Sequence, residues 1–192
     1  MAMVMNGYSE HLLLELVRLK NTIEYANTQV VFTEVPNEIS LAINITGCTI
    51  HCKGCHSQWL WSNKGKELTN EALSNLIENN KGITTVLFMG GDNFIEHLTN
   101  CARDIKYHYP NLKIAWYSGR RDLDDSGSSR IKELETYLDY VKIGPYIKQL
   151  GGLDSPSTNQ KFYKIRHKIE NGLPSNMFDD ITFKFRNNET NN

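Results

Sequence analysis

From Thr69 to Ile143 the chain alternates amphipathic helical stretches with short β-branched apolar runs, and this alternation restricts the fold of the 192 residues more than any other feature. Thr69 can cap a helix running to about Asn79, with Glu71 in its first turn and Leu73, Leu76 and Ile77 facing inward. Thr85 to Met89 predicts a strand, and Phe94 to Tyr107 a helix with Ile95, Leu98, Ala102 and Ile105 on one face. Lys113 to Tyr117 predicts the next strand, Ser129 to Leu138 a helix bearing Ile131 and Leu134, and Tyr140 to Ile143 a last strand. Such alternation implies a largely parallel sheet with right-handed crossovers, covered by helices, with a ligand site at the carboxyl ends of the strands.

The flanks carry weaker patterns. Leu12, Leu16, Leu19 and Ile23 share one helical face, so an amphipathic helix is expected from Ser9 to about Tyr25. Val30 to Phe32 and Ile39 to Ile45 read as strands separated by a turn at Pro36-Asn37, and Gly144 to Ser157 as a long loop. From Pro174 onward, Ile181, Phe183 and Phe185 alternate as an edge strand would, and the asparagine-rich end is expected to be disordered. A complete eight-unit barrel takes about 250 residues, so the expected fold is α/β: a partial, open (β/α) barrel of about five or six units, plus the N-terminal helix. The expected organisation is an N-terminal extension over 1–27, the barrel domain over 28–166 and a C-terminal extension over 167–192.

Composition narrows the function classes. Lysines and arginines (21) balance aspartates and glutamates (22), which gives no reason to expect nucleic acid or an anionic membrane as partner. No secretory pattern or membrane-length apolar run is visible, so a cytoplasmic protein with reduced cysteines is expected. Three of the four cysteines are clustered, as Cys48, Cys52 and Cys55 in a C-x3-C-x2-C run directly after the Ile39 to Ile45 strand. Thiolates are preferred ligands of iron-sulfur clusters, and three from one short loop can each take a different iron of a cubane, leaving the fourth iron free. A structural zinc site built from these cysteines with His51, His56 or Cys101 is the main alternative. Cys52 to His56 also satisfies C-x-x-C-H, the haem attachment pattern, which would leave Cys48 without a role. Cys101 falls within the apolar stripe of a helix, where a free cysteine behaves as a small buried hydrophobe.

The strand Thr85 to Met89 ends in Gly90-Gly91-Asp92. Two glycines let the backbone turn and approach a ligand closely, and the aspartate offers an acceptor for an ammonium group; the plainer reading makes Asp92 the N-cap of the next helix. Taken together, the cysteine run and this turn, one strand-helix-strand unit apart, resemble the radical S-adenosylmethionine superfamily. Within it the closer similarity is to the activating enzymes of anaerobic (class III) ribonucleotide reductase, whose loop reads like Cys52-Lys53-Gly54-Cys55-His56. The similarity extends through Trp116-Tyr117-Ser118-Gly119, Asp139 to Gly144 and Ser157-Thr158-Asn159-Gln160, and covers roughly residues 28 to 166. Asn93 departs from the family, which commonly has proline there.

The resemblance implies a 4Fe-4S cluster on Cys48, Cys52 and Cys55, with S-adenosylmethionine on its fourth iron and against Gly90, Gly91 and Asp92. It further implies that Ser118 and Asn159 line the cofactor cavity, that no side chain acts as acid or base, and that the product is a glycyl radical on the reductase. A low-potential electron donor such as flavodoxin is implied as a second partner. The same chemistry on another glycyl-radical enzyme or a small molecule, and a zinc-binding interaction module, are the alternatives.

Overall fold

The computed structural model describes residues 23–123, 129–170 and 173–186. Eight strands form one sheet: β1 (Glu24–Val31), β2 (Ser40–Ile45), β3 (Lys66–Glu67), β4 (Thr85–Met89), β5 (Lys113–Tyr117), β6 (Tyr140–Ile143), β7 (Lys161–Glu170) and β8 (Leu173–Asp180). Three helices accompany it among the described residues: α1 (Asn70–Asn79), α2 (Ile95–His108) and α3 (Ser129–Glu135). The strand order is β3-β1-β2-β4-β5-β6-β7-β8.

The expected largely parallel partial barrel is not what forms. The sheet is mixed and mostly antiparallel: β1 to β2, β1 to β3, β6 to β7 and β7 to β8 run antiparallel, against three parallel pairings through β2, β4, β5 and β6. The reason lies in where the alternation stops. Among the described residues α-helices intervene only between β3 and β6; the β1–β2 and β6–β7 connections carry none, so no helical crossover returns the chain parallel there. The β1–β2 connection turns at Asn37, which adopts a positive φ of 67° beside Pro36. The expected N-terminal helix lies outside the described residues up to Thr22, and its last residues, Glu24 and Tyr25, belong to β1 instead. The edge strand expected at Ile181 to Phe185 is displaced: β8 ends at Asp180, and Thr182–Phe185 is a 3-10 turn. Asp180 Oδ1 accepts from the Thr182 N–H at 2.9 Å and closes that turn. The asparagine-rich end lies outside the described residues.

Within the parallel segment, sequence patterning carries directly into structure. The Thr69 side chain accepts from Ala72 N at 3.0 Å, capping α1, and β4, β5 and β6 occupy the spans their apolar runs predict. Alternation sorts the strand residues onto two faces. Leu41, Ile43, Val86, Phe88, Ile114, Trp116 and Val141 pack with Leu73, Leu98, Ile105 and Leu134 of the three helices. On the opposite face Ala42, Leu87, Ala115 and Tyr140 meet Phe162 of β7, with Phe185 folding back onto Phe162 at a ring separation of 5.0 Å. The three described α-helices therefore cover one face, and the other carries Asn44, Met89, Tyr117 and Lys142 near the carboxyl ends of the parallel strands. No helix among the described residues is long and apolar enough to cross a membrane.

Candidate functional site

β2 delivers the chain to Thr46, whose N–H and hydroxyl both donate to Glu24 O, and then to Gly47 at a φ of 74°. A Cβ on Gly47 would lie 2.2 Å from Asn63 Oδ1, so this left-handed turn takes glycine with least strain. Gly47 N donates to Ser62 O and Cys48 N to Leu60 O, stitching the loop to the 3-10 turn Gln58–Trp61. His51 and Gly54 also take positive φ values, 49° and 81°, and Cys55 N closes on Cys52 O at 3.0 Å. The result is a tight cysteine loop at the carboxyl end of β2 with Cys48, Cys52 and Cys55 half-buried. Ser57 N donates to Cys55 Sγ at 3.3 Å. Burial raises the Cys48 thiol above its ordinary range, and the N–H groups of Ile50 and His51 directed at its sulfur act against that rise.

The other ligands considered for zinc point elsewhere. His51 stacks on Trp61 at 4.6 Å, and His56 lies against Tyr146 at 5.3 Å. Cys101 is buried in α2 within the helical face of the core, and burial pushes its thiol up to about 12.

Gly90 and Gly91 leave β4 with φ of 91° and 84°. Gly90 N donates to Tyr117 O, and the Trp116 indole N–H donates to Gly90 O at 2.8 Å, which holds the turn against β5. Asp92 is 4% exposed. Its Oδ1 accepts from Ser118 Oγ at 2.5 Å, its Oδ2 from Gly119 N at 3.3 Å, and its backbone carbonyl from Arg120 Nη2 at 2.8 Å. Asp92 does not cap α2; the cap position is Phe94, without a side-chain cap bond. Asn93, the departure from the family pattern, joins the two motifs. Its Oδ1 accepts from Thr49 Oγ1 at 2.7 Å and its Nδ2 donates to Gly47 O at 3.0 Å, so the Gly-Gly-Asp turn and the cysteine loop are fastened by one side chain.

Ser118 is 1% exposed and bonded to Asp92, which places it behind the turn. Asn159 comes in from the loop after β6: its Nδ2 donates to Pro145 O at 2.9 Å, while its buried Oδ1 has no hydrogen-bond partner. Thus Gly90, Gly91, Asp92 and Ser118 form one contact group, and Asn159 adjoins it through Gly144, against whose Cα it packs. Two participants went unread in the sequence. Arg120 bonds the Asp92 carbonyl, and Lys142, 8% exposed on β6, donates to Ser118 O at 3.3 Å and Gly144 O at 2.7 Å. Burial lowers the Lys142 ammonium to about 8, with Asp92, Cys52, Cys55 and Cys48 opposing that shift. A lysine inside an otherwise apolar four-residue strand was the available signal.

The sequence pattern of the 4Fe-4S single cluster domain matches residues 39–163, about two thirds of the chain, from the start of β2 into β7. The chain belongs to the 4Fe-4S single cluster domain family. No curated protein matches it.

The residues present suit the cluster of this 4Fe-4S family. In a cubane each thiolate takes a different iron, so three cysteines surround a body rather than converge on a point and leave one iron free. Meanwhile N–H groups directed at the Cys48 and Cys55 sulfurs are the kind of contact that stabilises metal-bound thiolates. Cys48, Cys52 and Cys55 are the side chains that would hold a 4Fe-4S cluster here.

Proposed function

We propose that this 4Fe-4S protein is the activating enzyme of an anaerobic ribonucleotide reductase, using S-adenosylmethionine to install a glycyl radical on its partner. The observation that carries the reading is the fastening, through Asn93, of a three-cysteine loop to a Gly-Gly-Asp turn at the carboxyl ends of adjacent parallel strands. When bound, the cluster and S-adenosylmethionine supply one-electron cleavage of the sulfonium and a 5'-deoxyadenosyl radical that takes hydrogen from a backbone glycine.

The chain's own residues bind and orient. Cys48, Cys52 and Cys55 hold the cluster and leave one iron without a protein ligand. Gly90 and Gly91 would give the cofactor's methionyl end close access to backbone, and Asp92 would supply negative charge for its ammonium. Ser118 and Gly119 each donate to one Asp92 oxygen and Arg120 Nε pairs with Oδ1 at 3.7 Å, which leaves each oxygen a lone pair able to accept more. Asn159 keeps a buried Oδ1 without a hydrogen-bond partner among the described residues. None of these groups needs to move a proton. A low-potential donor such as flavodoxin and a cytoplasmic location accompany this reading.

The test is to mix anaerobic, reduced protein and S-adenosylmethionine with the glycyl-radical subunit. A glycyl-radical resonance with stoichiometric 5'-deoxyadenosine is expected. Cofactor cleavage without a radical on the reductase would move the assignment to another glycyl-radical enzyme or a small-molecule substrate.

A further inference from the structure

Lys142 is a buried cation that the proposed chemistry leaves unused. It projects from β6 onto the sheet face opposite the three described α-helices, beside Tyr117, whose ring centroid lies 6.0 Å from Nζ. Two of its three N–H bonds go to the Ser118 and Gly144 carbonyls at the carboxyl ends of β5 and β6. Ser118 in turn bonds Asp92, and the neighbouring Gly119 has Ile50 of the cysteine loop packed so close that a Cβ there would lie 2.8 Å from Ile50 Cγ1. Lys142 therefore sits one residue layer beneath the loop that holds the cluster. Burying an ammonium costs free energy unless negative charge compensates, and two carbonyl dipoles alone compensate poorly. The negative groups that favour its charged form are Asp92 and, once they bind the cluster, the thiolates of Cys48, Cys52 and Cys55.

We infer that Lys142 is the positioning charge that raises the reduction potential of the cluster on Cys48, Cys52 and Cys55. Three thiolates and a cubane core carry net negative charge, and one added electron increases it by one unit without making or breaking a bond. A fixed cation in a low-dielectric setting stabilises the reduced form more than the oxidised form, and net charge nearby is among the factors that set such potentials. The inference rests on the cluster assignment and is independent of S-adenosylmethionine.

The experiment is a mediator titration of the full, anaerobically loaded chain. Wild type is compared with Lys142→Gln, Lys142→Met and Lys142→Arg, after iron and sulfide content has been determined for each. The neutral variants should shift the ratio of reduced to oxidised cluster at a given potential at least tenfold toward oxidised. That is a midpoint about 59 mV more negative for one electron, while arginine stays near wild type. Glutamine keeps a neutral donor at the position, so a lysine needed only as a hydrogen-bond donor would give wild-type behaviour in Lys142→Gln. An unchanged midpoint in the loaded glutamine variant overturns the inference, as does an equal drop in the arginine variant. Loss of the cluster from both neutral variants while arginine retains it assigns Lys142 to assembly instead and also overturns it. A folded wild type that binds no iron removes the cluster assignment itself, a different failure.

Discussion

At the residue scale the site depends on a few polar contacts whose loss has separable effects. Asn93 spans the two motifs with one accepted and one donated bond, each worth about 0.5–1.5 kcal/mol net. Asn93→Ala should therefore cost about 1–2 kcal/mol in chemical unfolding and speed amide exchange in the cysteine loop; unchanged exchange there would show that the fastening lies elsewhere. Asp92→Ala should keep the cluster but weaken S-adenosylmethionine binding roughly tenfold to a hundredfold, the range for a lost bond to a charged group. Equal affinity by equilibrium binding would assign Asp92 to holding the β5 end alone. Cys101 gives the converse control: buried in the helical core with its thiol pushed up to about 12, its replacement by alanine should leave iron content unchanged. The cysteines and the Gly-Gly-Asp turn were legible in the sequence because spacing exposes them. Lys142 and Arg120 were not, because their roles arise from strand register and from carbonyls supplied by other elements, which a one-dimensional pattern does not contain.

At the scale of elements, the amino ends of the parallel strands are tied together as firmly as their carboxyl ends are shaped. Glu38, 6% exposed, accepts from Lys113 on β5, from Thr84 and Thr85 at the start of β4, and from Tyr140 on β6. Burial pushes its carboxyl up, but the bonds from Lys113, Thr84 and Tyr140 outweigh that and leave it below the ordinary value. A folded-state value below the unfolded one means that stability is fully present above the unfolded pKa of about 4.3 and is lost as pH falls through the folded value. Glu38→Gln should flatten the loss of stability below about pH 4, read from unfolding midpoints across pH. An unaltered acid limb would place that loss on other carboxylates. Elements bounded by clear punctuation, such as Thr69 before α1 and Pro110-Asn111 before β5, were legible to the residue. β7 was not, because Lys161, Lys164, Arg166 and Lys168 mask an alternation of Tyr163, Ile165 and His167 that only its pairing with β6 and β8 makes decisive.

Across the whole molecule, three parallel crossovers form a rigid centre and two antiparallel flanks extend it, β3-β1 on one side and β7-β8 on the other. Extrapolating the central alternation outward led to the expectation of a largely parallel barrel; the flanks lack the helices that such crossovers need. The centre still places the strand ends as an alternating fold would, so the two motifs meet at adjacent strand ends although the architecture around them differs from the expected barrel. The account depends on the cysteine loop holding a cubane at three corners. The most direct test is iron and sulfide analysis of the anaerobically purified full chain beside Cys55→Ala. Wild type should carry about four irons with matching sulfide, and the variant should lose them; one zinc without sulfide in a folded wild type would contradict the account.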